Sequence, residues 1–337
     1  MKAMTLKAPG GLQNIHLSDR ADPGQPGKGE IRVAIKASSL NFHDLVVATG
    51  QFPTEDGRIL LSDGAGVVEA VGEGVTDFRA GDHVVSTFFP VWLSGKPTAD
   101  VGGFAHTPGD GIDGMASEYV VRAQSAFTHA PKGWTHAESA TITTAGLTAW
   151  RALVTEGNLQ ANDTVLVQGT GGVSIAALQI AKAMGAKVIA TSSSDEKLAR
   201  ARQLGADETI NYRTTPEWGK KVLELTGGVG VDQVVEVGGP ATLGESLKAI
   251  KVGGHITQIG IISGDEARLS ILSVLAKQVT IKGVIVASRQ DQIDYVNALE
   301  GMNQKPVVDR LFRYQDLAEA FAWQQSGSHF GKICVEW

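Results

Sequence analysis

Cysteine is almost missing from this chain: Cys334 is the single one in 337 residues. One thiol cannot close an internal disulfide or build a cysteine-rich zinc site, so a reducing compartment is expected. No run of apolar residues approaches the ~18 that a membrane span requires. The stretch MKAMTLKAPG at the N-terminus lacks the long apolar core of a secretory signal. A cytoplasmic protein with no membrane partner is therefore expected. Basic charge is not in surplus either. The formal net charge is −6 with both signs interspersed, which leaves no electrostatic footprint for nucleic acid. Internal repeats and low-complexity tracts are absent too.

What is present is glycine, 41 residues of it, within a chain that is 42% hydrophobic. The length allows a large core and suggests two domains. Residues 1–125 read mostly as short strands and turns. EIRVAIKA (30–37), GAGVVEAVG (64–72), GDHVVSTF (81–88) and ASEYVVRA (116–123) mix β-branched and small residues between Gly and Pro breaks. That pattern predicts an all-β barrel or sandwich. Between them, residues 90–114 hold six glycines and no period. A connection that long is expected to be functional or mobile.

From about residue 163 the rhythm changes. DTVLVQG, AKVIATSS, ETINY, GVDQVVEV, GGHITQIG and VTIKGV read as strands, with helical stretches between most of them. Ser194 or Asp195 is placed to cap one helix, and Pro216 to begin another. Strands alternating with helices predict an α/β doubly wound parallel sheet. After about 288 come two helical stretches and a last strand, GKICVEW.

The strongest motif sits where the first of these strands turns into a helix. Gly169 permits a sharp turn, and Gly171 lets backbone approach a pyrophosphate that then meets the unpaired N–H groups at the helix start. Gly172 and Val173 complete that turn. Ser174 stands where the third glycine of G-x-G-x-x-G belongs. The second strand ends in Ser192, Ser193 and Ser194 rather than in the acid that NAD enzymes use for ribose hydroxyls. Hydroxyls with Lys197, and Tyr212 after the third strand, suit the 2′-phosphate of NADP(H); NAD(H) remains the alternative.

Three segments carry a family resemblance: LSDGAGVVEAVGEGVTDFRAGDHVV (61–85), TTAGLTAWRAL (143–153), and the run from Gly169 to Tyr212. Together they resemble the medium-chain dehydrogenase/reductase superfamily over nearly the full length, and most closely its zinc-free branch of quinone oxidoreductases and zinc-type alcohol dehydrogenase-like proteins. The resemblance implies a GroES-like β-barrel catalytic domain (1–125 plus 288–337) interrupted by a Rossmann domain (126–287). It also implies a homodimer joined through VTIKGV, and a nicotinamide bracketed by Ile259, Gly260, Val284 and Ile285.

In the zinc members a C-x-[ST]-D motif supplies a cysteine, G-H-E-G-x-G a histidine, and a later position a second cysteine. The matching residues here are Asn41, Ser62 and Thr144, while Asp63 matches the glutamate. An amide and two hydroxyls are poor zinc ligands, so no metal is expected. Thr144 then belongs with the cofactor contacts. His106, Asp110 and Asp113 in the long loop offer at most a stray cation site.

Without a Lewis acid, an unactivated alcohol is a demanding substrate, whereas hydride addition to an enone or quinone spreads the charge onto oxygen. His43 matches the hydroxyl residue that relays a proton in the metal enzymes, and imidazole can deliver one near neutral pH. Catalytic roles are assigned to His43, to Asn41 as polariser, and to Asp44 as an orienting group. Phe52, Phe88, Phe89 and Trp92 are candidate substrate walls. The expected activity is NADP(H)-dependent reduction of a quinone or α,β-unsaturated carbonyl. The alternatives are an alcohol dehydrogenase for an allylic or benzylic alcohol, and a nucleotide-binding regulator without turnover.

Overall fold

A computed structural model describes residues 1–302 and 304–337. The chain divides into two compact units, Met1–Leu147 with Val286–Trp337, and Thr148–Ile285.

The first unit is built from short strands: β1 (Lys2–Leu6), β2 (Ile15–Asp19), β3 (Glu30–Ser39), β4 (Arg58–Ile59), β5 (Ala65–Val71), β6 (His83–Ser86), β7 (Tyr119–Ala123) and β8 (Phe127–His129). β1 lies between β2 and β4. β3 is the hub of the second sheet. Its first half pairs with β7, and β5 runs along its length. It is buried on both faces, which is why its sequence reads as an apolar run rather than as an alternation. Gly66 of β5 explains part of the 61–85 signature: a Cβ there would stand 2.1 Å from the Ala34 carbonyl oxygen of β3.

The unit boundary falls after Leu147, not at 125. β8 pairs with β6, and the helix His136–Ala140 packs on β3, so residues 126–147 belong to the first unit. The second boundary falls between Ile285 and Val286.

The second unit holds β9 (Thr164–Gln168), β10 (Lys187–Ser192), β11 (Glu208–Asn211), β12 (Val231–Glu236), β13 (Ile250–Gln258) and β14 (Thr280–Gly283). All pair in parallel, in the order β11-β10-β9-β12-β13-β14. Counted from β9 this is 3-2-1-4-5-6, the Rossmann order, with its switch point between β9 and β12. Helices Gly172–Ala183, Asp195–Gln203, Trp218–Leu225, Pro240–Ala249 and Ile271–Lys277 connect the strands. Ser194 caps the second of these, accepting from the Lys197 N–H at 3.3 Å. Pro216 does not open the third, which begins at Trp218 behind Glu217.

The chain then returns to the first unit through the helix Arg289–Met302, β15 (Val308–Arg313), the helix Leu317–Gln325 and β16 (Lys332–Glu336). β15 is a strand where only helix and connection are expected from the sequence. β16 pairs antiparallel with the last residues of β3 and parallel with β15. That pairing carries Lys332, at the start of β16, to the segment that follows Ser39. No helix among the described residues is long and apolar enough to cross a membrane.

Candidate active site

In the first unit, β3 ends at Ser39 and the chain turns into the helix Phe42–Ala48. Asn41 is its N-cap, and Asp44 at N3 accepts the Asn41 backbone N–H at 2.9 Å. The other carboxylate oxygen of Asp44 accepts the Ser62 N–H at 2.8 Å. Asp44 is thus the tie between this turn and the next strand entry. Leu61, just before Ser62, is fully buried with φ of 72°. It stands where the resemblance places glycine, in a left-handed conformation that glycine adopts without strain.

A buried charge cluster lies behind the turn. Asp63 is wholly inaccessible and accepts from Ser39 Oγ at 2.5 Å and Thr144 Oγ1 at 2.6 Å. Lys332 reaches in from β16. Its ammonium donates to the Leu40 carbonyl and to Asn41 Oδ1, each at 2.5 Å, and stands 3.9 Å from Asp63. Burial pushes the Asp63 carboxyl up to about 6, although Lys332 pulls it the other way. Burial likewise draws the Lys332 ammonium below the ordinary lysine range, against the pull of Asp63. Asn41 Nδ2 donates to Asp44 at 3.0 Å and to the Ser39 carbonyl at 3.4 Å. Both ends of the amide are therefore engaged inward, and the side chain presents no donor to a substrate.

His43 points the other way. Its ring lies 5.7 Å from Phe52, 5.4 Å from Phe88 and 4.7 Å from Phe104, centroid to centroid. Nε2 sits 3.0 Å from the Asp110 carboxylate, a partner 67 residues away in the long loop. Of the four expected substrate-wall residues, only Phe52 is open, at 37% exposure. Phe88, Phe89 and Trp92 are buried and pack with Phe104 into an aromatic cluster. His106 is exposed, and Asp113 is tied to Arg58 and to the Ile59 N–H, so neither joins Asp110. Cys334 is buried, and its thiol is pushed up to about 12, which removes it as a nucleophile.

In the second unit, Gly169 ends β9 with φ of 70°, and the helix from Gly172 begins without any side-chain cap. Its first N–H groups are left for an anion. Ser174, at the third-glycine position, is buried, and its hydroxyl donates to the Gln168 carbonyl at 2.6 Å. It stitches helix to strand where the motif's glycine would only permit close packing. Ser192 ends β10, Ser193 follows it, and Tyr212 is exposed just beyond β11. Asp195 is turned to the Asn211 amide at 2.7 Å.

Gln168 and Glu236, at the ends of β9 and β12, were not singled out by sequence, yet they straddle the switch point. Glu236 is fully buried and accepts five donors: Gly238 N, Gly239 N and Thr242 Oγ1 on one oxygen, Gln168 Nε2 and Ser246 Oγ on the other. The one available signal was a charge closing the apolar strand VDQVVE.

Residues 27–132 match the alcohol dehydrogenase GroES-like domain, and residues 172–301 match the zinc-binding dehydrogenase family. A zinc-type alcohol dehydrogenase-like protein of Schizosaccharomyces pombe is 40% identical over 97% of this chain and 96% of its own. The chain belongs to the medium-chain dehydrogenase/reductase superfamily. It is an oxidoreductase of the alcohol dehydrogenase-like kind. Among solved structures, an NAD-dependent alcohol dehydrogenase is 36% identical with a TM-score of 0.90, each chain covered in full. A mycobacterial protein solved with NADPH is 26% identical with a TM-score of 0.82, again over both full lengths.

The family's zinc does not suit this member's side chains. The positions that carry ligands in zinc relatives hold Asn41, Ser62 and Thr144, and an ammonium already occupies Asn41 Oδ1. Among the described residues no three His, Cys, Asp or Glu side chains gather as a metal-binding group. The nicotinamide cofactor fits better. The uncapped helix start and the turn at Gly169 form an anion cradle of the kind the Rossmann fold uses.

Proposed function

We propose that this dehydrogenase/reductase is a zinc-independent, NADP(H)-dependent enzyme that delivers hydride to an α,β-unsaturated carbonyl or a quinone. The observation that carries the reading is the Lys332 ammonium bonded to Asn41, where zinc relatives place a ligand. A fixed positive charge beside the would-be ligand set disfavours a divalent ion by repulsion. It also leaves substrate activation to hydrogen bonds.

Bound NADP(H) supplies the hydride. Gly169, Gly171, Gly172 and Val173 would hold its pyrophosphate at the helix start. Ser192, Ser193, Lys197 and Tyr212 would hold the 2′-phosphate, while Ile259, Gly260, Val284 and Ile285 would flank the nicotinamide. Thr144, bonded to Asp63 and standing where zinc relatives hold a ligand cysteine, would contact the cofactor. His43 supplies the proton that completes reduction, and the Phe52 side of its aromatic shell excludes water from the acceptor. Asn41 and Asp44 hold the turn that carries His43.

Two further features support a cytoplasmic homodimer. A single cysteine suits a reducing compartment. Edge strand β14 pairs only with β13 among the described residues, and Leu272, Leu275 and Ile285 of the same unit are exposed.

The test is NADPH oxidation over enones, quinones and aldehydes, with product analysis. A saturated ketone from an enone supports the proposal. An aldehyde formed only from an allylic or benzylic alcohol favours the alcohol dehydrogenase that the relatives' names suggest. NADPH binding without turnover of any acceptor favours a regulatory protein.

Cofactor choice gives a separate prediction. Ser193→Asp puts a carboxylate against the 2′-phosphate, so the KM for NADPH should rise on the order of 10- to 100-fold while that for NADH does not. Equal kinetics with both cofactors in the wild type and in the variant would remove these residues from the site.

A further inference from the structure

The long loop holds a carboxylate against His43, and no reading of the family's cofactor and ligand positions accounts for that contact. Asp110 sits in a tight turn. Its N–H donates to the Thr107 carbonyl at 3.2 Å, its own carbonyl accepts from Thr54 Oγ1 at 2.9 Å, and Gly109 N–H closes on Ile112 at 2.9 Å. Thr54 in turn accepts from Arg58 Nε at 3.2 Å. The backbone that carries the carboxylate is therefore held on both sides of Asp110. Phe104, from the same loop, has φ of 56° and lays its ring 4.7 Å from that of His43. A bulky residue held in that region marks a place where the surrounding structure dictates the backbone. Side chains of His43 and Asp110 are both 14% exposed, so their contact is largely shielded from solvent.

The geometry has a chemical consequence. A carboxylate only accepts, so at Asp110 the ring nitrogen must donate: Nε2 carries the hydrogen. The contact at 3.0 Å is made by that nitrogen, and Nδ1 is not among the buried side-chain atoms that lack a partner. Against the ring lie Asp110 and Phe104 from the loop, Phe52 from the segment after the helix, and Phe88 from the segment after β6. Asp110 is the charged member of that shell.

We propose that Asp110 is the positioning residue for His43: it fixes the ring with Nε2–H turned to the loop and Nδ1 as the edge that meets substrate. The inference rests on the proposed reduction of a conjugated carbonyl. In that reaction hydride forms the new C–H bond at the β-carbon, the C=C electron pair moves to give an enolate, and the Nδ1 proton converts the enolate to the saturated carbonyl. His43 leaves neutral, its Nε2–H still on Asp110, and solvent reprotonates Nδ1.

Two measurements test this, and they fail separately. Long-range ¹H–¹⁵N NMR on the intact protein with labelled histidine reads the tautomer directly, the His43 signals being assigned by their loss in His43→Gln. The neutral ring should carry its hydrogen on Nε2 in the wild type, and the Nε2–H resonance should move in Asp110→Ala as its hydrogen bond to the carboxylate is lost. A ring protonated on Nδ1, or an unchanged Asp110→Ala spectrum, overturns the inference with no appeal to activity. The second measurement is the split between kcat and KM for enone reduction. Asp110→Asn keeps the shape and an acceptor but removes the charge that holds Nε2–H. Its kcat should fall on the order of tenfold while the KM for NADPH stays within twofold. Wild-type turnover matched by Asp110→Asn overturns the inference. Absence of wild-type turnover with every conjugated acceptor overturns the functional reading, and the NMR result then stands alone on the pairing.

Discussion

Replacing Lys332 with methionine should cost about 3–5 kcal/mol of stability, because it strands a buried carboxylate. Asp63 has no exposure, and Lys332 is the cation that faces it. Asp63→Asn strands the ammonium instead and should cost a similar amount. The double variant removes both charges, so its loss should be well below the sum of the two single losses. Urea unfolding of the three proteins measures this. Additive losses would mean that the two groups do not interact.

The same cluster sets a pH dependence. The folded carboxyl titrates at about 6 and its ordinary value is 3.8, so the folded chain binds the extra proton between those values. The contribution of Asp63 is therefore largest below the window and declines as pH rises through it. Asp63→Asn takes up no proton in this window and has no such gain on acidification. The wild type's advantage over Asp63→Asn should be larger at pH 4.5 than at pH 7.5. A reversed order would contradict the assigned direction.

Glu236→Ala is the second change with a large expected effect. It leaves five donors at the β9–β12 switch point without their acceptor. Each orphaned buried donor costs about 1–3 kcal/mol, and a whole domain holds only about 5–15 kcal/mol. The second unit should therefore fail to fold or lose most of its stability. Glu236→Gln keeps the shape and turns an amide N–H₂ toward donors that wanted an oxygen. It should cost about 2–4 kcal/mol and also weaken NADPH binding, since the Gly238–Gly239 turn and Gln168 line the strand ends. Urea melts and a fluorescence titration with NADPH read the two effects. A Glu236→Gln protein that matches the wild type in both would show that the carboxylate is not the organising group.

Local patterns explain what was legible beforehand. In the second unit β9 and β10 are apolar runs, and short β-branched strands alternate with helices bounded by caps, glycine or proline, so β9 to β14 can be read from neighbouring residues alone. The glycine turn is legible for the same reason, and Ser174 declares its departure by its place in the motif. The helix Phe42–Ala48 is too short to show a period, and β15 lies in a stretch whose partner, β16, is about twenty residues further on. The site pairs are harder still. Lys332 finds Asn41 across 291 residues and Asp110 finds His43 across 67. A lysine that opens a strand reads as a solvent-facing residue, and an aspartate in a glycine-rich loop reads as a turn former. Only the pairing of β16 with β3 and the folding back of the loop bring each to its partner. Asn41 shows the limit in the other direction. Its position in the motif suggested a donor to substrate, but the contacts that consume its amide come from groups no local pattern reveals.

On the proposed function, hydride reaches the acceptor without a metal. The direct measurement is enone reduction by NADPH after exhaustive chelation, with zinc content determined on the same sample. The account predicts undiminished turnover to the saturated ketone at far less than one zinc per chain. Stoichiometric zinc, with activity lost on chelation and restored by adding zinc back, would contradict it.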